Sequence, residues 1–224
     1  NIAIEVIKRG GTAVIEKPIV TTREDFFKLK SVIEDYNGSF YSCFQKRYNP
    51  FNKFIYDDLR VSLGDPINMV ASIFEISLPA NHWYNGTVSG SSIISNGCHW
   101  LDYFLFLNDY SEYVYYNLSF SDSQMISINV KLENEAVLNL CMTHSGSHRL
   151  GVRENIELRS RNSTINILDA HQYTSEDNFG KIRKYKCHPL AGHEMMYNSI
   201  SQRIKENLEG DKLKSLLSTQ LMLD

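Results

Sequence analysis

Two short runs hold side chains able to move a proton or steady a charge: Glu16-Lys17-Pro18 and Gly97-Cys98-His99-Trp100-Leu101-Asp102. Lys17 follows Thr12 to Glu16, an apolar, β-branched stretch that reads as a buried parallel strand closed by Pro18. Ligands of open α/β sheets bind outside the carboxyl ends of strands. A lysine held there offers a positive charge to an oxygen that becomes negative during reaction. Pro18 fixes φ and stops the strand, which sets the exit angle of Lys17. The plainer reading of Lys17 is a solvated surface charge. His99 and Asp102 are three residues apart and share a face if the run is helical. A neighbouring carboxylate raises the basicity of an imidazole and orients it, and such a histidine can take a proton from a hydroxyl. The plainer reading is a half-buried histidine in a helix with Trp100, Leu101, Phe104 and Leu105.

The remaining histidines and the cysteines point to little chemistry. His144 and His148 flank Ser145-Gly146-Ser147, a loop composition that disfavours a helical metal pair, and His188 and His193 straddle Pro189 and Gly192. Structural or exposed roles are expected for these four; His82 and His171 have no identifiable partner. No second cluster completes a metal site. Cys43, Cys98, Cys141 and Cys187 form no CxxC pair, so buried free thiols are expected. The absence of GxSxG, a Walker loop and HExxH argues against hydrolase and NTPase readings.

The elements that would position these groups can be read from periodicity. Asn1 to Gly10 looks like the end of a helix with Arg9-Gly10-Gly11 as its stop. Thr22 with Asp25 is a weak capping box opening a helix over Arg23 to Tyr36, and Ser39 to Gln45 reads as a second strand. A helix is expected from Phe51 to Ser62, an extended segment from Ile67 to Leu78, a loop from Pro79 to Ser92, and a helix from Ile94 to Leu107. Alternation at Ile126, Ile128, Val130 and Leu132, and again at Ala136, Leu138, Leu140 and Met142, predicts half-buried strands. Ile156–Leu158 and Ile165–Ile167 continue that sheet, which is antiparallel with one wet face. Met196, Ile200, Ile204 and Leu208, then Leu213, Leu216, Leu217 and Leu221, read as core-facing helical stripes. The expected fold class is α+β: a large, mostly antiparallel sheet with helices on one face, preceded by the last βαβ part of an α/β domain.

The 224 residues carry a net charge of −3, with 42% hydrophobic and 22% charged residues. This suits an ordinary soluble chain and gives no electrostatic reason to expect nucleic acid or an anionic membrane as partner. No apolar run reaches the roughly 20 residues that span a bilayer. The start is no secretory signal, so the cytoplasm is the expected compartment. Asn-x-Ser/Thr triplets at Asn37, Asn85, Asn117 and Asn162 are taken as chance.

In order, Thr12 to Thr22 (TAVIEKPIVTT), Phe44 to Pro50 (FQKRYNP), Trp83 with Ser89 to Tyr103 (SGSSIISNGCHWLDY) and Gly192 to Ile204 (GHEMMYNSISQRI) resemble the Gfo/Idh/MocA family of NAD(P)-dependent oxidoreductases. The resemblance covers essentially the whole chain. It implies that residues 1–45 are the end of a Rossmann nucleotide-binding domain and 46–224 a catalytic and oligomerisation domain. The last helix is expected to pack back on the first part. The resemblance also implies that a GxGxxG loop, absent from this sequence, lies in a missing N-terminal portion, and that this chain alone is inactive and binds NAD or NADP weakly. The activity it implies is hydride transfer between NAD(P) and a secondary hydroxyl or keto group of a sugar, cyclitol or nucleotide-sugar, by a homo-oligomer joined through the open sheet face. Lys17 and His99 would be catalytic, with Glu16, Lys17, Pro18 and Arg47 at the cofactor and Arg47, Ser95, Asn96 and His99 at the substrate. Many members carry Asp where this chain has Ser95, and a serine cannot act as a carboxylate relay. That departure keeps open a non-catalytic sugar-binding or assembly module of the same fold. Lyase or glycosidase chemistry with transient use of the nicotinamide is a third possibility.

Overall fold

A computed structural model describes residues 2–77, 93–121 and 125–224. The expected loop over 79–92, with His82, Trp83, Asn85 and Ser89, lies outside the described residues. The chain forms two compact units, one of residues 2–48, 93–106 and 192–224, the other of 49–77, 107–121 and 125–191.

The first unit begins with α1 (Ile2–Lys8), β1 (Thr12–Ile15), α2 (Arg23–Asp35) and β2 (Ser39–Ser42). β1 and β2 pair in parallel, Thr12 opposite Ser39 and Ile15 opposite Ser42. Thr22 caps α2 as the capping-box spacing predicts: its hydroxyl oxygen accepts from the Asp25 amide at 3.2 Å. Gly38 is required where it stands, because a Cβ there would lie 2.4 Å from the Ile7 carbonyl oxygen. The second strand ends three residues earlier than the sequence pattern suggests. The Cys43 amide still bonds the Ile15 carbonyl at 2.9 Å, but Gln45–Tyr48 then winds into a 3-10 turn.

The expected helix over Ile94 to Leu107 starts as a π-helical turn, Ile93–Gly97, and becomes α-helical only over Cys98–Leu107 (α4). After α5 (Ala191–Lys205), a short 3-10 turn leads into α6 (Leu217–Leu223), which packs against α2 and the π turn. α5 covers β2: Tyr41, Cys43, Met196 and Ile200 form one buried cluster. The stripe predicted to run on to Leu208 leaves the core early, with Leu208 half exposed beyond the helix end.

The second unit carries α3 (Asn52–Leu59) and an eight-stranded sheet. Its strands are β3 (Asn68–Phe74), β4 (Tyr113–Ser121), β5 (Met125–Leu132), β6 (Val137–Thr143), β7 (Arg153–Ser160), β8 (Ser163–Leu168), β9 (Gln172–Asp177) and β10 (Ile182–Lys186). The order is β10-β9-β8-β7-β3-β6-β5-β4, antiparallel throughout except where β3 pairs with β6. The α+β class with a mostly antiparallel sheet is therefore as the sequence predicts. The alternating residues do what their period requires: Met69, Ala71 and Ile73 are buried with Ile128, Val130, Leu138, Leu140, Ile156, Leu158, Ile165 and Ile167. Each such Leu or Ile contributes about 1.5–3 kcal/mol by leaving water. α3 lies over β8 and β9 and stops at Leu59, before the expected Ser62, because Arg60 takes a left-handed conformation at φ 56°.

Strands β4, β9 and β10 have no counterpart in the sequence reading. β4 (YVYYNLSFS) is exposed along most of both faces; Leu118 and Phe120 alternate with Asn117, Ser119 and Ser121, but Tyr113 to Tyr116 is a continuous apolar and aromatic run. β9 alternates, but with Tyr173, Ser175 and Asp177 as its buried residues. All four cysteines are free, with Cys43 and Cys98 buried and Cys141 and Cys187 partly so. Among the described residues, no helix is long and apolar enough to cross a membrane.

Candidate active site

The site forms within the first unit, where the carboxyl end of β1 meets the π turn and the first turn of α4. Glu16-Lys17-Pro18 leaves β1, with a cis bond between Lys17 and Pro18. Lys17 Nζ donates to the Ser95 carbonyl oxygen at 2.9 Å. A π turn widens the helix and disturbs its i→i+4 ladder, and Ser95, itself buried, sits in that turn with its carbonyl turned to the lysine. Asn96 follows in the same turn, half-buried. Glu16 accepts from the Tyr197 hydroxyl on α5 at 2.7 Å. That bond, and the Glu16 charge, push the Tyr197 phenol up to about 12.

His99 stands in the first turn of α4. Its Nδ1 is buried and has no hydrogen-bond partner among the described residues, although the residue as a whole keeps partial exposure. The ring meets the edge of Trp100 at 6.0 Å between centroids. Lys46 lies against the same indole, its Nζ 5.1 Å from the ring centroid, and is itself buried at 8% exposure. Burial, and then the positive charges of Lys17 and Lys46 and the nearby His193, hold the His99 imidazole well below the ordinary histidine range. The ring is therefore neutral at physiological pH and offers a lone pair as acceptor, at the cost of being a weaker base than a free imidazole.

Asp102 does not support His99 in the way the three-residue spacing suggests. Its carboxylate is fully buried and gripped by Arg47, with Nη2 at 2.6 Å from Oδ1 and Nε at 2.8 Å from Oδ2. Arg47 Nη1 reaches Asp211 Oδ2 at 2.9 Å and Ser42 Oγ at 2.9 Å. Arg47 was expected to line the cleft; its guanidinium instead ties β2, the 3-10 turn, α4 and the 208–211 segment together, and its side chain is only 6% exposed. The 208–211 segment is tightly held against β2, since a Cβ on Gly210 would lie 2.4 Å from the Phe40 carbonyl oxygen. Burial pushes the Asp102 carboxyl up against the opposing pull of Arg47.

Lys17, Ser95, Asn96 and His99 lie within the first unit, Lys17 on the π turn that carries Ser95 and Asn96 and leads into His99, with Glu16 and Pro18 on either side of the lysine in sequence. Lys46 and His193 are additional members that the reading missed. Lys46 immediately precedes the arginine singled out in the KRY run, and a 3-10 turn sends the two side chains to different places. His193, in the first turn of α5, was set aside as structural or exposed. It is exposed, and burial lowers its pKa, followed by Lys46; Glu16 works the other way. The other described histidines lie in the second unit: His144 beside the Glu75 carbonyl, His148 on Phe74, His171 beside the Cys187 carbonyl and His188 against the Leu190 amide. No group of three metal-ligating side chains occurs among the described residues.

No protein-family model matches the sequence, and no curated protein matches it either. Solved structures do. A dehydrogenase from Chromobacterium violaceum superposes with a TM-score of 0.78 at 13% identity, over 99% of this chain and 70% of that one. UDP-N-acetylglucosamine 3-dehydrogenase GnnA from Acidithiobacillus ferrooxidans gives 0.74 at 16% identity, over 99% and 72%. The WlbA dehydrogenase from Thermus thermophilus, solved with NAD and UDP-GlcNAcA, gives 0.67 at 14% identity, over 99% and 66%. The fold is the one these dehydrogenases share. They are oxidoreductases of the Gfo/Idh/MocA type, the family the sequence resembles. At these identities the dehydrogenase fold is common ground, and the chemistry rests on the side chains just described.

Proposed function

We propose that the protein is an NAD(P)-dependent oxidoreductase acting on a secondary hydroxyl or keto group of a sugar, cyclitol or nucleotide-sugar. The observation that carries this reading is the pairing of a neutral, enclosed His99 with Lys17 at the carboxyl end of β1. In the oxidative direction His99 takes the hydroxyl proton while Lys17 donates to the same oxygen and favours its developing negative charge. A base whose pKa is lowered accepts a proton less readily. The lysines that lower it also stabilise the oxyanion, so one field works on both partners of the transfer. Nicotinamide, when bound beside Lys17, supplies the hydride acceptor; Glu16, Lys17 and Pro18 are the residues placed to hold its edge. The unpartnered His99 Nδ1 and the lysine amine fit a carbinol beside such a ring.

On this reading residues 1–45 close a dinucleotide-binding domain and 46–224 carry the catalytic part. Ser95 supports a Lys–carbonyl–His arrangement in place of Lys–Asp–His, since its backbone oxygen holds Lys17 without a carboxylate. The exposed apolar residues of β4, among them Val114, Tyr115, Leu118 and Phe120, support assembly of a homo-oligomer through the sheet. The test is nicotinamide reduction by the protein expressed from its complete reading frame, screened against free and nucleotide-linked sugars. Lys17→Ala and His99→Ala are each expected to lower turnover by at least about 10²-fold. Near-normal turnover in both variants would sink the assignment, and binding of sugar without any hydride transfer would favour the non-catalytic module.

A further inference from the structure

The two edges of the eight-stranded sheet are built differently. β10 (IRKYK) closes one end of the strand order and holds Lys184 and Lys186 exposed on it. Lysines on an edge strand keep it from pairing with another chain. β4 (YVYYNLSFS) closes the other end with nine residues, none of them charged and none proline. Among the described residues no strand pairs with its outer side. A bulge sets Val114 apart, and from Tyr115 to Ser121 the strand pairs with β5 without a break. Alternation then sorts its side chains. Tyr116, Leu118 and Phe120 stand opposite Val130, Ile128 and Ile126, on the face that forms the core of the unit. They are nevertheless 44%, 41% and 64% exposed, so the core face of the sheet runs on past its cover among the described residues.

A second copy of the same strand fits this edge. Antiparallel pairing about a twofold axis is self-complementary. With the axis at Leu118, the middle of the unbroken run, Leu118 meets the partner's Leu118 and Tyr116 meets the partner's Phe120. On the other face Asn117 meets the partner's Ser119, and Tyr115 the partner's Ser121. Apolar and aromatic pairs of this kind are what stabilise neighbouring strands, and no pair sets like charges together. The exposed parts of Tyr115, Tyr116, Leu118 and Phe120 come to roughly 400 Å² per copy, taking about 150–250 Å² for a whole aromatic side chain. Two copies with their backbone edges reach about the 1,000 Å² at which a specific interface begins. The open face of the sheet offers less, since its middle row is Asn129, Asn139, Glu157 and Asn166 around Val70. We propose that the protein dimerises edge to edge through β4, joining two eight-stranded sheets into one continuous sheet. This rests on the assembly reading given above and names its surface and register; the oxidoreductase reading does not enter.

Sedimentation velocity of the 224-residue chain is the first test. Wild type is expected to run at twice 25.8 kDa and to dissociate on dilution. Leu118→Lys sets like charges face to face at the axis and is expected to leave a 25.8 kDa monomer at the same concentrations. Asn139→Lys, on the open face, is expected to stay dimeric. Oxidation tests the register. Directly opposed residues of antiparallel strands have Cα atoms about 4.5–5.5 Å apart, a span that a disulfide bridges. Leu118→Cys is therefore expected to cross-link most of the protein as a dimer. Ser121→Cys would lie about 20 Å from its own copy at about 3.4 Å per residue, and is expected to cross-link no more than wild type. The cysteine pair also decides the matter should Leu118→Lys fail to fold. Equal cross-linking of Leu118→Cys and Ser121→Cys would overturn the edge pairing. A dimer that Asn139→Lys dissolves and Leu118→Lys leaves intact would do the same, moving the interface to the open face and keeping the assembly reading. A wild type that stays monomeric at every concentration would remove both.

Discussion

Each unit buries a charged or titratable group, and the two are treated in opposite ways. In the second unit Asp58 is fully enclosed and every neighbour serves it: the Tyr173 hydroxyl at 2.7 Å, the Ser175 hydroxyl at 2.7 Å, Arg183 Nε at 2.9 Å and Lys181 Nζ at 3.4 Å. Burial pushes this carboxyl up, but the bonds from Tyr173, Ser175 and Arg183 outweigh it and hold the group below the ordinary range. In the first unit His99 has a buried Nδ1 with no partner among the described residues and positive charges on its flanks. A satisfied network of that kind holds elements in place. A buried group left short of its bonds is costly and persists where something other than stability maintains it. Arg47 with Asp102 shows that the first unit can also build the satisfied kind, one turn below His99. The contrast therefore belongs to the site, not to the unit.

The largest effect expected from breaking this contrast is at Arg47. Arg47→Met removes the partner of a fully buried carboxylate and frees Asp211 as well, leaving charge without compensation inside the unit. The expected loss is about 3–5 kcal/mol of unfolding free energy, the scale for stripping one member from a buried pair. Urea denaturation measures it directly, and a loss under about 1 kcal/mol would show that Asp102 finds other donors. Asp58→Asn should come next, at about 1–3 kcal/mol. The amide keeps an acceptor for Tyr173 or Ser175 but loses the charge that Arg183 and Lys181 address, and both of those cations are partly exposed and can turn to water.

How far the sequence could foretell this arrangement depends on what kind of residue carried each signal. Strands β5 to β8 were legible because leucine, isoleucine and valine alternate in them with polar residues. β9 was not, because the Asp58 network makes polar residues its buried face, and hydropathy cannot distinguish a buried Ser175 from a wet one. β4 went unread for another reason: its first half, Tyr113 to Tyr116, is an unbroken aromatic and apolar run, and only Leu118 and Phe120 alternate with Asn117, Ser119 and Ser121. Lys17 and His99 could be named from local motifs, but the partner of each could not. Asp102 lies three residues from His99, and its ion pair goes to Arg47, 55 residues away. Ser95 contributes its backbone carbonyl, a group present at every position and so carrying no sequence signature. The π turn that aims that carbonyl is likewise unmarked by composition. Lys46 needed the 3-10 turn to separate it from Arg47, and that turn replaced the last residues of an expected strand.

The smallest expected effect is a pH dependence, and it separates the two buried groups by sign and by window. An unfolded histidine titrates near about 6.5 and an unfolded aspartate near about 3.9. Folded His99 lies well below its value, so above about pH 6.5 both states are neutral there and pH has no effect. As pH falls below that point the unfolded chain takes up a proton that the folded chain refuses, and stability is lost. Folded Asp58 also lies below its unfolded value, so its contribution is complete through this window and is lost only as pH falls through its folded pKa. Asp102, pushed up by burial, acts in the opposite direction and gains as pH falls. Comparing wild type with His99→Gln cancels both carboxylates and isolates the imidazole. Between pH 6.5 and 5.5 the wild type should lose up to about 1 kcal/mol relative to the variant, since one proton is linked to about 1.4 kcal/mol per pH unit. If urea midpoints of the two proteins run parallel across that interval, His99 accepts a proton in the fold as readily as in water, and the contrast with Asp58 is lost.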